Sequence, residues 1–224
     1  DHQPLTGSFL SKAIARAIGV SEVNASMGRI VATPTAGSAG ILPGVLLTLQ
    51  EFHGFSDDQL VDALFTAGGI GNIIASKATL AGAAGGCQAE TGAAAAMCAA
   101  AAVELMGGSP IQCAHAVAIT ITNMLGLVCD PVAGLVEVPC VKRNAGGVAQ
   151  CIVAVDLSLS GIESIIPADE VIDAMSHVGK SMDHRLKETA EGGIAATPTG
   201  RAWAKRLWTN MDTTATNNTD RNDG

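Results

Sequence analysis

Six cysteines are spread through this chain of 224 residues, and three of them stand where the chain is expected to turn. Cys87 follows two glycines in Gly85-Gly86-Cys87-Gln88-Ala89-Glu90, Cys129 stands two residues before Pro131, and Cys140 directly follows Pro139. Between Lys77 and Lys142 there is no Lys or Arg, only Glu90, Glu104, Asp130 and Glu137. With no cation in that span to balance them, thiolates gathered there are expected to be neutralised by a metal centre. Cysteine is also among the most buried residue types and fills small gaps in a core. Spacing alone leaves both readings open.

A second candidate for chemistry is the loop Ala32-Thr33-Pro34-Thr35-Ala36-Gly37-Ser38-Ala39-Gly40. A proline and small residues describe a tight turn before a helix. Backbone amides at such a junction, with the hydroxyls of Thr35 and Ser38, can take a small carboxylate or phosphate. A plain connecting turn would read the same way, since the pattern fits no standard phosphate loop.

The elements that must position these residues read as helices. Phe9, Leu10, Ala13, Ile14, Ala17 and Ile18 recur at helical spacing after Ser8, with Gly19 as a stop, and a second helix spans about 42–52. Ser56-Asp57-Asp58-Gln59 is a capping box, and Gly68-Gly69-Ile70-Gly71-Asn72 is expected to interrupt the helix it starts. An Ala-rich helix covers 91–106. Ser109-Pro110-Ile111-Gln112 restarts the chain with a cap, a first-turn proline and a capping glutamine, giving a helix that ends near Gly126. An apolar helix carrying Val148, Ile152, Val153 and Val155 ends near Gly161, another opens at Pro167 and runs through His177, and a short charged segment covers 183–190. No alternating strand pattern is present, so the expected fold is all-α, a compact bundle of closely packed Ala/Gly-rich helices. The expected organisation is a single helical catalytic domain over 1–208 and a disordered Thr/Asn/Asp-rich tail over 209–224.

Composition narrows the function. At 48% hydrophobic and 15% charged the chain can bury a sizeable core, while 3% aromatics and 26 glycines call for close helix contacts. A net charge of −8 argues against nucleic acid and anionic membrane surfaces as partners. The apolar run from Ile111 to Val128 contains Gln112, His115 and Asn123 and reads as a buried helix rather than a membrane span. The opening Asp1-His2-Gln3-Pro4 has neither the basic nor the apolar part of a signal peptide. Cysteines this sparse suit a reducing, cytoplasmic compartment.

Several stretches together resemble the α chain of iron–sulfur-dependent L-serine dehydratase. They are Asn24-Ala25-Ser26-Met27-Gly28, the 32–40 loop, Gly82-Ala83-Ala84-Gly85-Gly86-Cys87-Gln88-Ala89-Glu90, and the long run from Asn123 to Asn144. The resemblance covers about residues 5–205 and implies a [4Fe–4S] cluster held by Cys87, Cys129 and Cys140, leaving Cys98, Cys113 and Cys151 to packing. It implies conversion of L-serine to pyruvate and ammonia, the substrate hydroxyl meeting an iron that has no protein ligand. Thr35, Gly37 and Ser38 are the candidates to bind the substrate, with Lys142 a weaker one. The family's usual amino-terminal helical segment and its β chain, with a Ser-rich, His-containing loop, are both absent from this sequence. None of His2, His53, His115, His177 and His184 lies in a matched motif, so the catalytic base is expected on a β-chain partner.

Rival readings attach to the same residues. A relative acting on L-cysteine would share the cluster cysteines. A pyridoxal phosphate lyase could use Lys77, whose bland reading is a solvated lysine. A zinc site would want a fourth Cys or His, and an electron carrier would want every iron ligated by protein.

Overall fold

The computed structural model describes residues 3–219, and both capping boxes are formed in it. Ser56 accepts from the backbone of Gln59 and opens helix α3 (Asp57–Lys77); Ser109 does the same with Gln112 and opens α6 (Pro110–Met124). The other helices are α1 (Gly7–Ala25), α2 (Ile41–His53), the single turn α4 (Gly82–Gly85), α5 (Ala93–Leu105), α7 (Cys140–Leu159), α8 (Ala168–Ser181) and α9 (Pro198–Thr219). Among the described residues there is no strand, and the fold is all-α. No described helix is long and apolar enough to cross a membrane.

Helix α5 is the axis. Every residue from Ala93 to Val103 is buried, and α2, α3, α6 and α7 pack around it. A helix apolar on all sides has to be enclosed by others, and methyl-sized side chains let those neighbours approach closely enough for dense dispersion contact. Glycine extends the same principle to α1 and α2: a Cβ on Gly40 would lie 2.2 Å from the Ala17 carbonyl oxygen, and one on Gly44 2.8 Å from that of Ala13.

Two expected helix breaks are not breaks. Gly19 lies inside α1, and Gly68, Gly69 and Gly71 lie inside an uninterrupted α3. Each interior glycine costs about 1 kcal/mol relative to alanine. Packing of α3 along α5 outweighs that cost, and Gly71 sits against Met97 of α5. The charged segment at 183–190 forms only a 3₁₀ turn, His184–Leu186. Of the tail expected to be disordered, the backbone is helical through Thr219, and 220–224 lie outside the described residues.

Candidate metal centre

Three chain reversals at one end of α5 and α7 carry the site. The first begins at Gly86, whose φ of +76° is a glycine conformation and whose Cβ, if it had one, would meet the Leu127 carbonyl oxygen at 2.8 Å. The chain passes under the 127 loop there and presents Cys87. A single π-helical turn, Gln88–Gly92, follows; such turns recur where a helix carries a functional group. The buried Gln88 side chain locks this turn, donating to the Met175 carbonyl (3.0 Å) and accepting from the Gly126 amide (2.9 Å).

The second reversal follows α6 and holds Cys129. Its amide donates to the Leu186 carbonyl (2.8 Å) and its carbonyl accepts from the Glu188 amide (2.6 Å), a short parallel pairing centred on Lys187. The third is the start of α7, where Cys140 is the first helical residue after Pro139.

The Cys87 and Cys129 sulfurs and a Glu90 carboxylate oxygen all lie within 4.8 Å of one another. The Cys129 thiol donates to Glu90 Oε2 at 3.9 Å and also hydrogen-bonds the Cys87 sulfur. Cys140 is outside this tight trio, yet buried and close enough that the charges of Cys87 and Glu90 act on its thiol. Gly82 closes the trio from behind: a Cβ there would lie 2.6 Å from Glu90 Oε2 and 3.0 Å from the Cys129 sulfur.

Electrostatics divide the labour among the thiols. The hydrogen bond from Cys129 pulls the Cys87 thiol below its ordinary value, and the Arg143 guanidinium adds to this. Cys129, the donor of that bond and buried, is pushed up. Cys140 is pushed up to about 12, mainly by burial and then by the neighbouring negative charges. Burial likewise raises Glu90. Cys87 is thus the more acidic thiol of the pair, and Cys129 holds its proton more tightly.

Arg143 corrects the premise that no cation reaches these thiols. The cation missing between Lys77 and Lys142 arrives from just outside that span: Arg143 Nη1 donates to the Cys87 sulfur (3.3 Å) and to the Val128 carbonyl (2.7 Å). Its Nη2 donates to Asp130 Oδ1 (2.8 Å). The available signal was helical spacing, since Arg143 is three residues after Cys140 and shares its face of α7. Glu90 is equally readable, three residues after Cys87, although its sequence neighbourhood assigns it no role of its own.

The 32–40 loop does reach this site. Thr35 hydrogen-bonds Glu90, and a Cβ on Gly37 would lie 3.8 Å from both Glu90 oxygens. The buried Asn144 pins the loop to α7, donating to the Gly37 carbonyl (2.7 Å) and the Cys140 carbonyl (3.0 Å) and accepting from the Gly40 amide (3.0 Å). Ser38 is fully buried and its hydroxyl bonds within the loop, to Thr35 Oγ1 (3.1 Å) and the Thr33 carbonyl (3.3 Å). It shapes the turn, while Thr35 and Gly37 face the site. Lys142 is exposed and lines a shallow recess with Glu22, Ser26 and Glu137.

Other candidates lie elsewhere. Lys77 pairs with Asp169 and Asp173 at 3.4 Å each on an exposed face. His53 stacks on Phe55, His115 accepts from the Ser164 amide, His177 is exposed, and His184 faces Glu191. His2 lies outside the described residues. Cys98, Cys113 and Cys151 are buried in α5, α6 and α7.

The architecture is thus an all-α scaffold that gathers thiols and a carboxylate from distant turns into one buried, metal-competent group. Residues 1–195 match the family model described as "Serine dehydratase alpha chain", and the chain belongs to that family. It is 55% identical over 204 residues to the "Probable L-serine dehydratase, alpha chain" of Bacillus subtilis, covering 91% of this chain and 68% of that protein. It is 54% identical over 200 residues to the protein of the same name from Latilactobacillus sakei, covering 89% and 96%. The Escherichia coli "L-serine dehydratase TdcG" is 40% identical over 181 residues, 80% of this chain and 40% of that longer protein.

Proposed function

We propose that this chain is the metal-holding subunit of an L-serine dehydratase, acting in the conversion of L-serine to pyruvate and ammonia. The observation that carries the reading is the meeting of Cys87, Cys129 and Glu90 within 4.8 Å, inside a chain of this family. Cys87, Cys129 and Cys140 are the residues that would hold a [4Fe–4S] cluster. The donor set suits it, because two of the thiols converge and the third is buried beside their charge. Bound there, a cluster with three protein ligands supplies a Lewis-acidic iron open to the substrate hydroxyl.

The chain's own groups are suited to hold the amino acid. Glu90 has the charge to meet its ammonium, and the Thr35 hydroxyl beside Glu90 can turn to its carboxylate. The Gly37 backbone leaves room that a side chain would take. Deprotonation at the α-carbon needs a base within hydrogen-bond reach, and the histidines described here are engaged or exposed away from the trio. We assign the base to a β chain. Exposed Val23, Val31, Leu47 and Leu64, lining a groove of about 830 Å³, are the kind of apolar surface a second subunit covers. Six unpaired cysteines support a reducing, cytoplasmic location.

The test is pyruvate formation by the anaerobically reconstituted chain with and without β chain. Turnover of L-serine that requires both, and four irons per chain, is the expected result. Sulfide release from L-cysteine with no turnover of serine would replace the reading by a desulfidase.

A further inference from the structure

Arg143 joins three things that the ligand set alone leaves separate. One guanidinium nitrogen meets the Cys87 sulfur at 3.3 Å and the Val128 carbonyl, on the residue before Cys129, at 2.7 Å. The other meets Asp130, on the residue after Cys129, at 2.8 Å. Asp130 is 2% exposed, and its second oxygen accepts from the Ile194 amide at 2.7 Å. The chain crosses Asp130 at Gly193, φ +58°, where a Cβ would lie 2.1 Å from Oδ2. A planar donor fork, a carboxylate using both oxygens, and a backbone amide thus form one line from the Cys87 sulfur to the Gly193–Ile194 backbone.

We infer that Arg143 is a positioning residue for the metal centre, holding the Cys87 sulfur and lowering its electron density, with Asp130 and the Gly193–Ile194 backbone as its fixed anchor. This rests on the assignment of Cys87 as a ligand made above. A thiolate that accepts a charge-assisted hydrogen bond donates less charge to its metal. Lysine cannot reproduce the arrangement, because its single ammonium cannot span the sulfur, the Val128 carbonyl and Asp130 in a planar fork. Asp130→Asn breaks the line without touching Cys87: the amide nitrogen that replaces one accepting oxygen would set donor against donor, toward either Arg143 or the Ile194 amide.

Anaerobic titration of the full chain with Co²⁺ tests this independently of serine turnover, since cobalt–thiolate charge-transfer absorption reports ligation by cysteine. Wild-type chain should bind Co²⁺ with that band. Arg143→Met should weaken binding about 10–100-fold, the range for loss of a group supporting a ligand. It should also move the band to longer wavelength, because an unbonded sulfur gives up its electron more easily. Arg143→Lys should fall between the two, and Asp130→Asn should shift in the same direction as Arg143→Met. Circular dichroism establishes folding, and if the Met variant is unfolded the Lys variant decides. An unchanged band and affinity in folded Arg143→Lys and Asp130→Asn, or no thiolate band in the wild type, would overturn the inference. Failure of serine turnover alone would count against the proposed function and leave this result standing.

Discussion

The chain contains two cysteine triplets that burial does not separate. Cys87, Cys129 and Cys140 are 2%, 2% and 9% exposed; Cys98, Cys113 and Cys151 are 0%, 9% and 0%. What separates them is the surroundings. The second triplet sits inside α5, α6 and α7, where backbone groups are already paired; the Cys98 and Cys113 thiols lean on the Ile41 and Ala100 carbonyls, and Cys98 also hydrogen-bonds Cys151 within the core. Burial raises Cys98 well above its ordinary value, so it stays a neutral thiol. The first triplet stands at reversals, where the chain can aim several sulfurs at one point and where a carboxylate and a guanidinium can join them. What marks Cys87 and Cys129 out as candidate ligands is what converges with them.

Breaking the first triplet should have the largest effect. Cys87→Ser or Cys129→Ser should lower iron content and serine turnover about 100-fold or more, exceeding the loss expected from a supporting residue. The check is iron and sulfide analysis beside the pyruvate assay. If Cys98→Ala, Cys113→Ala or Cys151→Ala did the same, the division between the triplets would fail.

Next in size is Gly82→Ala. Its Cβ would lie 2.6 Å from Glu90 Oε2 and 3.0 Å from the Cys129 sulfur, so both must move and iron loading should fall severalfold. Gly71→Ala, a core counterpart, meets only the flexible end of Met97 at 3.0 Å and gains helix propensity; its thermal midpoint should correspond to a change within about 1 kcal/mol. Equal effects from the two would show that the site is no tighter than the core.

Asn144→Ala removes three hydrogen bonds and leaves the Gly40 amide and Gly37 carbonyl without this partner. Urea unfolding should show a loss of about 2–3 kcal/mol, and KM for serine should rise more than kcat falls, because the 32–40 loop is released from α7. A small effect is likewise expected of Cys98→Ala, a deletion of one buried sulfur costing about 1 kcal/mol by the same measurement, with iron content unchanged.

Much of this arrangement was legible in the sequence. Ser56 with Gln59 and Ser109 with Gln112 announced their helices because capping is a local reaction between neighbours. Cys87 and Cys129 stood out because glycine and proline beside them forecast reversals. The interior glycines of α3 misled because local propensity cannot register α5 lying alongside. Glu90 and Arg143 were visible as types and even as helical neighbours of cysteines. Their roles depend on which turn meets which, and that is fixed only when α6, α7 and the 183–194 segment come together.

The pairing of Cys129 with Leu186 and Glu188 carries a consequence for how the protein is made. Both backbone partners of Cys129 lie more than fifty residues further along the chain. A polypeptide emerging in order from the ribosome therefore presents Cys87, Cys129 and Cys140 well before the segment that fixes the middle one exists. Until residue 188 has been added, Cys129 lacks the backbone pairing that fixes it relative to the other two. If these thiols hold iron as proposed, a product truncated before Leu186 should hold it less well than the full chain.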